Sequence, residues 1–581
     1  MMMNITVNKW LGSLNSYIII FWVLLTAINI NKAYHIDDTF HLEAAECIRQ
    51  HPFKPMSGCI NWHDSPSPMY EYNQPPLFFY LILLFQFFEA GNEISMHLLL
   101  SVFTFLSLLY FSKLALFLNV KYPKTILTIF AFCPAFVVNQ NLMTDVPILA
   151  ISLGIMYYLL KGLSQESMRD YLISAILLSL GLLIKYSLLP VMLVMLLSII
   201  LSKNYKNVIV LIIPLTVLLL WSIWNLFEFG SVHLFTRPKS EFQIDKLWSF
   251  MGTLGAVSTF SVIYIYYLLP KRITLFFIIL IFSLFLFCLP LVYFGFIEEV
   301  KFNNLLNCLF IANGLVLMTF ILKEAIDSFT KEKGNYIKTP YFTLAIYILG
   351  VSAFITLFAP FNATRHVLLL IPFILLFSHK QFEATSGIIN NLVITFTIIL
   401  GLLLGVSDWI YANFYRENVK KIKIADKKVW SIGHWGWQWY SKKADMKVYS
   451  LEDELNVRKG DIIVYPKDIS RQNLNSDIEL DTINFITEPP NFFTFFSGKD
   501  FASMYNSYST TPAWSLSNRP IDTIFVCKVK KEIGVEEIIN RIKSDENRLK
   551  ALQKKALEKK MSLDSILVLV AKWVITHKRN E

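Results

Sequence analysis

Two adjacent carboxylates, Asp37-Asp38, stand a few residues after the first long apolar run, where they open the longest loop of the apolar region. A carboxylate is costly to leave poorly solvated near a bilayer, so an acid placed there points to function. Other acids and bases recur at comparable places. Asp145 ends the stretch Asn139-Gln140-Asn141-Leu142-Met143-Thr144-Asp145, and Lys185 sits in Gly181-Leu182-Leu183-Ile184-Lys185-Tyr186. His233 and Arg237 follow another apolar run, and Arg365-His366 open a later one. The chemistry such a set could do is transfer at a lipid phosphate. A carboxylate would accept a proton or orient a nucleophile, and cations would hold the departing phosphate. Each residue also has a plainer reading. Asp is a favoured helix N-cap, and Lys, Arg and His anchor helix ends at a membrane interface. One Asp explains a cap; the second is surplus.

Elements must bring these residues to one surface. The chain has 581 residues, 55% hydrophobic and only 17% charged, with 48 Phe, which suits a membrane protein rather than a globular one. Apolar runs recur from about Ser16 to about Tyr411, each close to the ~20 residues that cross hydrocarbon. They predict a mainly α membrane protein of about 13 transmembrane helices. The first is taken as an uncleaved span over 15–33. Others fall at 94–118, 125–142, 145–163, 170–186, 188–202, 206–228, 247–269, 273–297, 304–322, 340–358, 365–379 and 386–411. The run 75–91 is short and opens on Pro75-Pro76, so it reads as an interfacial helix. With that choice, Lys121, Lys124, Lys161, Arg169, Lys203, Lys271, Arg272 and Lys323 fall on one side. That side holds about twice the Lys and Arg of the other, which makes it cytoplasmic. The N-terminus is then cytoplasmic, and the acids face outward. The net charge of +10 is spread over short loops, so nucleic acid is not an expected partner.

Three parts are expected. Residues 1–412 form the membrane domain, with 34–93 as its first outer loop. Residues 413–530 form a soluble outer-face α/β domain, and 531–581 a charged helix and amphipathic tail. Within the first loop, Ile36, Phe40, Ala44, Cys47 and Ile48 mark an amphipathic helix. Lys428–Tyr440, Gly460–Pro466 and Asp522–Cys527 read as strand-bearing segments, the first with an aromatic helix start. The apolar end, Ser562–Ile575, predicts a surface-lying helix rather than another span. The six cysteines form no Cys-x-x-Cys. Whether Cys47 and Cys59 pair is left open.

The order acidic pair, Asn73-Gln74-Pro75-Pro76-Leu77, Met143-Thr144-Asp145, Gly181–Tyr186, Arg365-His366 resembles the GT-C superfamily of polytopic glycosyltransferases. The nearest groups are the dolichyl-phosphate-mannose–protein mannosyltransferase-like bacterial enzymes and the aminoarabinose transferases. The resemblance implies a membrane glycosyltransferase, moving a hexosyl or pentosyl group from a polyprenyl-phosphate donor to an outer-face acceptor. Glycan, lipid and protein acceptors all remain open, and membrane lipids are further partners. It implies Asp37 as catalytic acid, joined by Asp38 and Asp145. Lys185, Arg365 and Arg237 would bind the lipid phosphate, and His233 and Gln74 the substrate. It also implies the inner membrane of a bacterium. Where the aminoarabinose group has an acidic-basic pair before the loop proline, this chain has Asn73-Gln74. No cofactor is firmly implied, and a divalent cation is left open, as is the metal site itself.

The alternative from another class is a secondary transporter or lipid flippase. Transporters place coupling carboxylates near mid-membrane within repeated halves. Here the acids read as loop-edge residues, and no internal repeat is evident. A third reading makes the soluble domain the working part of a binding or assembly protein.

Overall fold

The structure is a computed structural model. It describes residues 2–578 apart from 73, 89–91, 238–240, 242, 271, 274–275, 277–286, 288–289, 293, 423–426, 491–493, 496–503, 506–510 and 516–518. The expected span 273–297 and residue Asn73 fall largely or wholly outside the described residues.

Contacts divide the chain into two compact units, each assembled from three stretches: 1–58, 68–413 and 489–521 in one, and 59–67, 414–488 and 522–581 in the other. The first unit is helical. Six described helices are long and apolar enough to cross a membrane, or seven if one bent pair counts as a span. They include Glu93–Phe117, Asp145–Gln165, Glu299–Glu332, Pro340–Phe358 and Gly387–Val419. The chain is thus a multi-pass helical membrane protein by length and composition, with a sheet-bearing C-terminal region.

Several expected spans are interrupted, for local reasons. The run 125–142 is split into Pro123–Ala131 and Pro134–Val138. Pro134 lacks the N–H that a continuous helix needs and clashes with the preceding turn. The run 365–379 is likewise split into Thr364–Val367 and Ile371–Phe377, with Pro372 in the first turn of the second piece. The run 247–269 bends by 86° between Ile244–Val257 and Thr259–Leu268. In the first loop, the helix Leu77–Phe88 has 12 residues. At 1.5 Å per residue that is about 18 Å, short of a ~30 Å hydrocarbon core.

The amphipathic helix after the acidic pair runs Asp38–Gln50 and buries Phe40, His41, Leu42, Ala44, Ala45 and Ile48. It does not reach back to Ile36, as the apolar stripe suggests. Ile36 has φ of +49°, a left-handed backbone that ends the helix there. Close helix approach elsewhere depends on small residues. A Cβ on Gly255 would collide with the Phe310 carbonyl, and one on Gly314 with the Met251 carbonyl. Ile244–Val257 and Glu299–Glu332 therefore pack backbone to backbone.

The second unit holds a five-stranded sheet in the spatial order Lys447–Val448, Val429–Ser431, Ile462–Pro466, Thr523–Lys531, Glu479–Thr487. The first two pairings are parallel and the last two antiparallel. Its core includes Trp430, Tyr449, Ile463, Val529 and Ile538. The last helix, Leu563–Lys578, was expected to lie on a surface. It packs Leu567, Ala571 and Ile575 into this core, which gives its apolar face a protein partner. Trp437, in the aromatic run 435–440, is fully buried and serves packing. Cys47 and Cys59 are not joined in a disulfide.

Candidate active site

The acidic pair is divided by the backbone that carries it. Ile36 sits in the left-handed region, which costs a β-branched residue about 1–3 kcal/mol. After this turn, the two neighbouring side chains enter different surroundings. Asp37 is half-exposed, and its Oδ2 lies 3.1 Å from Arg365 Nη2. It occupies the N-cap position of the helix without capping it. Asp38 is buried, and its Oδ2 accepts the His35 backbone N–H at 2.9 Å. Its Oδ1 has no hydrogen-bond partner. Burial raises its pKa to about 8, and the nearby Asp37 and Asp408 charges add to that, against the His35 N–H and Lys32.

Asp145 and Lys185 come to the same place. Asp145 begins the helix Asp145–Gln165, and Lys185 follows the end of Met168–Leu182. Lys185 Nζ lies 2.7 Å from Asp145 Oδ1. Arg365 Nε lies 3.9 Å from Asp145 Oδ2. The result is a row of alternating charge: Lys185, Asp145, Arg365, Asp37. Solvent access differs between its two acids, with Asp145 at 4% and Asp37 at 33% exposed. Asp145 is therefore the anchored acid and Asp37 the reachable one. Lys185 keeps 13% of its side chain exposed. Arg365 is also held by Met143 Sδ at 3.5 Å and lies over the Phe361 ring.

The remaining expected residues form two further contacts. Arg237 Nη1 donates to Gln74 Oε1 at 2.5 Å. Burial lowers the Arg237 pKa, against the pull of Tyr186. His233 is buried, with Nδ1 3.1 Å from the Tyr186 hydroxyl and its ring near Tyr70. Trp221 Nε1 donates to the same hydroxyl at 2.9 Å. Tyr186 follows Lys185 in sequence, so His233 connects to the charged row through one peptide. A mainly apolar cavity of about 390 Å³ lies alongside, with Pro76, Leu77, Tyr80, Leu183, Trp221 and Trp224 in its walls. Among the described residues, no three His, Cys, Asp or Glu side chains group as a metal cage.

Several participants were not singled out from sequence. His41 Nδ1 donates to the Leu142 carbonyl at 2.7 Å and so ties the helix after Asp37 to the turn before Asp145. Burial lowers the His41 pKa, against the charge of Asp37, which leaves a neutral ring. Lys32 and Asp408 form a buried pair at 2.9 Å. Asp408 had a visible signal: it is an acid within an expected span, and such residues are functional candidates. Tyr505 had none, since it lies in the region expected to be soluble and far along the chain.

A family model described as dolichyl-phosphate-mannose-protein mannosyltransferase matches residues 73–225. No curated protein sequence matches the chain significantly. Among solved structures, the archaeal oligosaccharyltransferase AglB from Archaeoglobus fulgidus, in complex with an inhibitory peptide and a dolichol-phosphate, matches at 10% identity. The match covers 78% of this chain and 70% of that one, with a TM-score of 0.44. ArnT from Cupriavidus metallidurans in the apo state matches at 10% identity over 79% of this chain and 93% of that one, TM-score 0.36. ArnT bound to undecaprenyl phosphate matches over the same shares at 10% identity, TM-score 0.35. Gln74, Asp145 and Lys185 lie inside the stretch matched by the family model. By that stretch, this chain resembles the polytopic glycosyltransferases of the GT-C superfamily, with the dolichyl-phosphate-mannose-protein mannosyltransferases as the matching family.

Proposed function

We propose that the protein is a membrane glycosyltransferase that moves a sugar from a polyprenyl-phosphate donor to an acceptor on the outer face of a bacterial inner membrane. The observation that carries this reading is the row Lys185–Asp145–Arg365–Asp37, with its most exposed acid at one end. Asp37 takes the proton of the acceptor hydroxyl as that oxygen attacks the anomeric carbon. The bond from this carbon to the phosphate oxygen breaks, and the polyprenyl phosphate leaves with the electron pair. A single displacement inverts the carbon. Lys185 and Arg365 neutralise the leaving phosphate, which is the larger electrostatic demand of the step. Asp145 holds both cations in place. Asp38 is buried, and burial favours its neutral form, so it shapes the loop rather than accepting the proton. Arg237 and Gln74 would flank the phosphate, and His233 would sit behind them. The adjoining apolar cavity suits the first isoprene units, since apolar walls with few convergent polar groups are the usual form of a ligand site.

The loop-charge asymmetry supports an outward-facing site, with the N-terminus cytoplasmic and the sheet-bearing unit outside. The test is Asp37→Asn in membranes supplied with labelled lipid-linked sugar. General-base loss is expected to reduce transfer by about 100-fold or more. Undiminished transfer would remove Asp37 from the mechanism. Reconstituted liposomes separate the transporter alternative: substrate flux without a covalent product would favour it.

A further inference from the structure

A second polar layer lies behind the charged row, and nothing in the proposed reaction uses it. Its hub is Asp408, in the last long helix, Gly387–Val419. One carboxylate oxygen takes Lys32 Nζ at 2.9 Å. The other accepts the Tyr505 hydroxyl at 2.7 Å. That hydroxyl in turn accepts from Asn141 Nδ2 at 2.8 Å. The neighbouring Met504 carbonyl accepts the Thr364 hydroxyl at 2.8 Å, and Asn139 Nδ2 donates to the Thr364 oxygen at 3.1 Å. Lys32, Asn139, Asn141, Thr364 and Asp408 are all buried.

Two consecutive residues thus reach three of the four stretches that carry the row, those of Asp37, Asp145 and Arg365. Asp408 and Lys32 lead to the stretch ending at Asp37. Asn141 belongs to the turn ending at Asp145. Thr364 immediately precedes Arg365. A buried ion pair gains little net stability over apolar packing, because desolvating two charges offsets their attraction. Its geometric effect is stronger, since a buried polar group that loses its partner carries the full cost of being unpaired. Such a network resists displacement of any one member.

We infer that Tyr505 is a positioning residue: its hydroxyl, through Asp408 and Asn141, sets the spacing between the stretches that carry Asp37, Asp145 and Arg365. The segment 489–521 is then part of the catalytic unit, although the chain order places it among the strands of the other unit. This inference rests on the row being a phosphate site, as proposed above.

The test uses the full chain in detergent, with undecaprenyl phosphate as the probe. Tyr505→Phe keeps the ring, which lies edge-on to His35, and removes only the hydroxyl. Affinity is measured at a temperature where both proteins are fully folded. The expected result is binding about tenfold weaker than wild type. A purely structural role would lower the melting temperature and leave the affinity of the folded protein unchanged, which overturns the inference. Lys185→Met separates this from the underlying reading. If Lys185→Met and wild type bind equally, or wild type does not bind, the phosphate site itself is wrong. If Lys185→Met weakens binding and Tyr505→Phe does not, only the positioning role falls. Should Tyr505→Phe not fold, Thr364→Val cuts the second tie to the same segment, with the same expected weakening.

Discussion

At the scale of single residues, two adjacent acids of one type have opposite environments, because successive residues at a helix start point about 100° apart. Asp37 meets Arg365 and solvent, while Asp38 is enclosed. This makes their substitutions differ in kind. Asp37→Asn is expected to abolish most transfer with little effect on folding. Asp38→Asn is expected to preserve transfer within about threefold, because burial favours the neutral carboxyl and a neutral amide resembles it. Its signature is in stability. With a folded pKa of about 8, Asp38 holds a proton that the unfolded chain releases near the usual carboxylate range. Stability from this group is therefore full at low pH and falls as pH rises from about 4 to about 8. Melting temperatures at pH 5 and pH 8 should differ less in Asp38→Asn than in wild type. An equal difference in both proteins would show that Asp38 is ionised in the fold. The residue types here were readable in advance. Their separate fates were not, because burial of one side chain depends on which face of the helix start the rest of the fold covers, and no hydropathy pattern encodes that.

At the scale of elements, apolar periodicity located most helices but not their breaks. Pro134 divides an expected span, and the 86° bend near Ser258 divides another. A proline inside an apolar run is a visible signal; the bend is not, since Ser258 and its neighbours read as ordinary small or polar residues. The helix before that bend packs on Glu299–Glu332 through Gly255 and Gly314. Gly314→Ala is expected to force these helices apart and cost about 1–3 kcal/mol, the usual penalty of overpacking. Thermal unfolding in detergent measures it. No loss of stability would mean that the helices separate without penalty. The functional consequence is indirect, because Trp514 Nε1 of the 489–521 segment donates to the Ala256 carbonyl in the same helix. Helix packing there and placement of the Tyr505-bearing segment share one element.

At the scale of the whole molecule, the two compact units are interleaved in sequence. Residues 59–67 leave the first loop to join the sheet-bearing unit, where the Leu451 N–H donates to the Asp64 carbonyl and Asn473 donates to the Asp64 carboxylate. Residues 489–521 leave the strands to join the helical unit. Orientation can be read from an exposed thiol in the first loop. Cys59 is exposed, and with the five other cysteines replaced by Ser it should react with a membrane-impermeant maleimide on intact spheroplasts. Labelling only after permeabilisation would place the acidic loop inside and overturn the outer-face assignment.

The sequence by itself determined the class of molecule and the chemical inventory. Hydropathy, loop charge and residue type are local quantities, and a span or a charged residue at the edge of a span announces itself in a short window. Asp37, Asp145, Lys185 and Arg365 were legible for that reason. Only the tertiary structure decided which of them meet, which acid stays open to solvent, and that Asp408 and Tyr505 stand behind them. Those outcomes depend on desolvation and on pairing between stretches far apart in the chain. A buried polar group acquires its partner, and its cost if unpaired, only when the helices have packed.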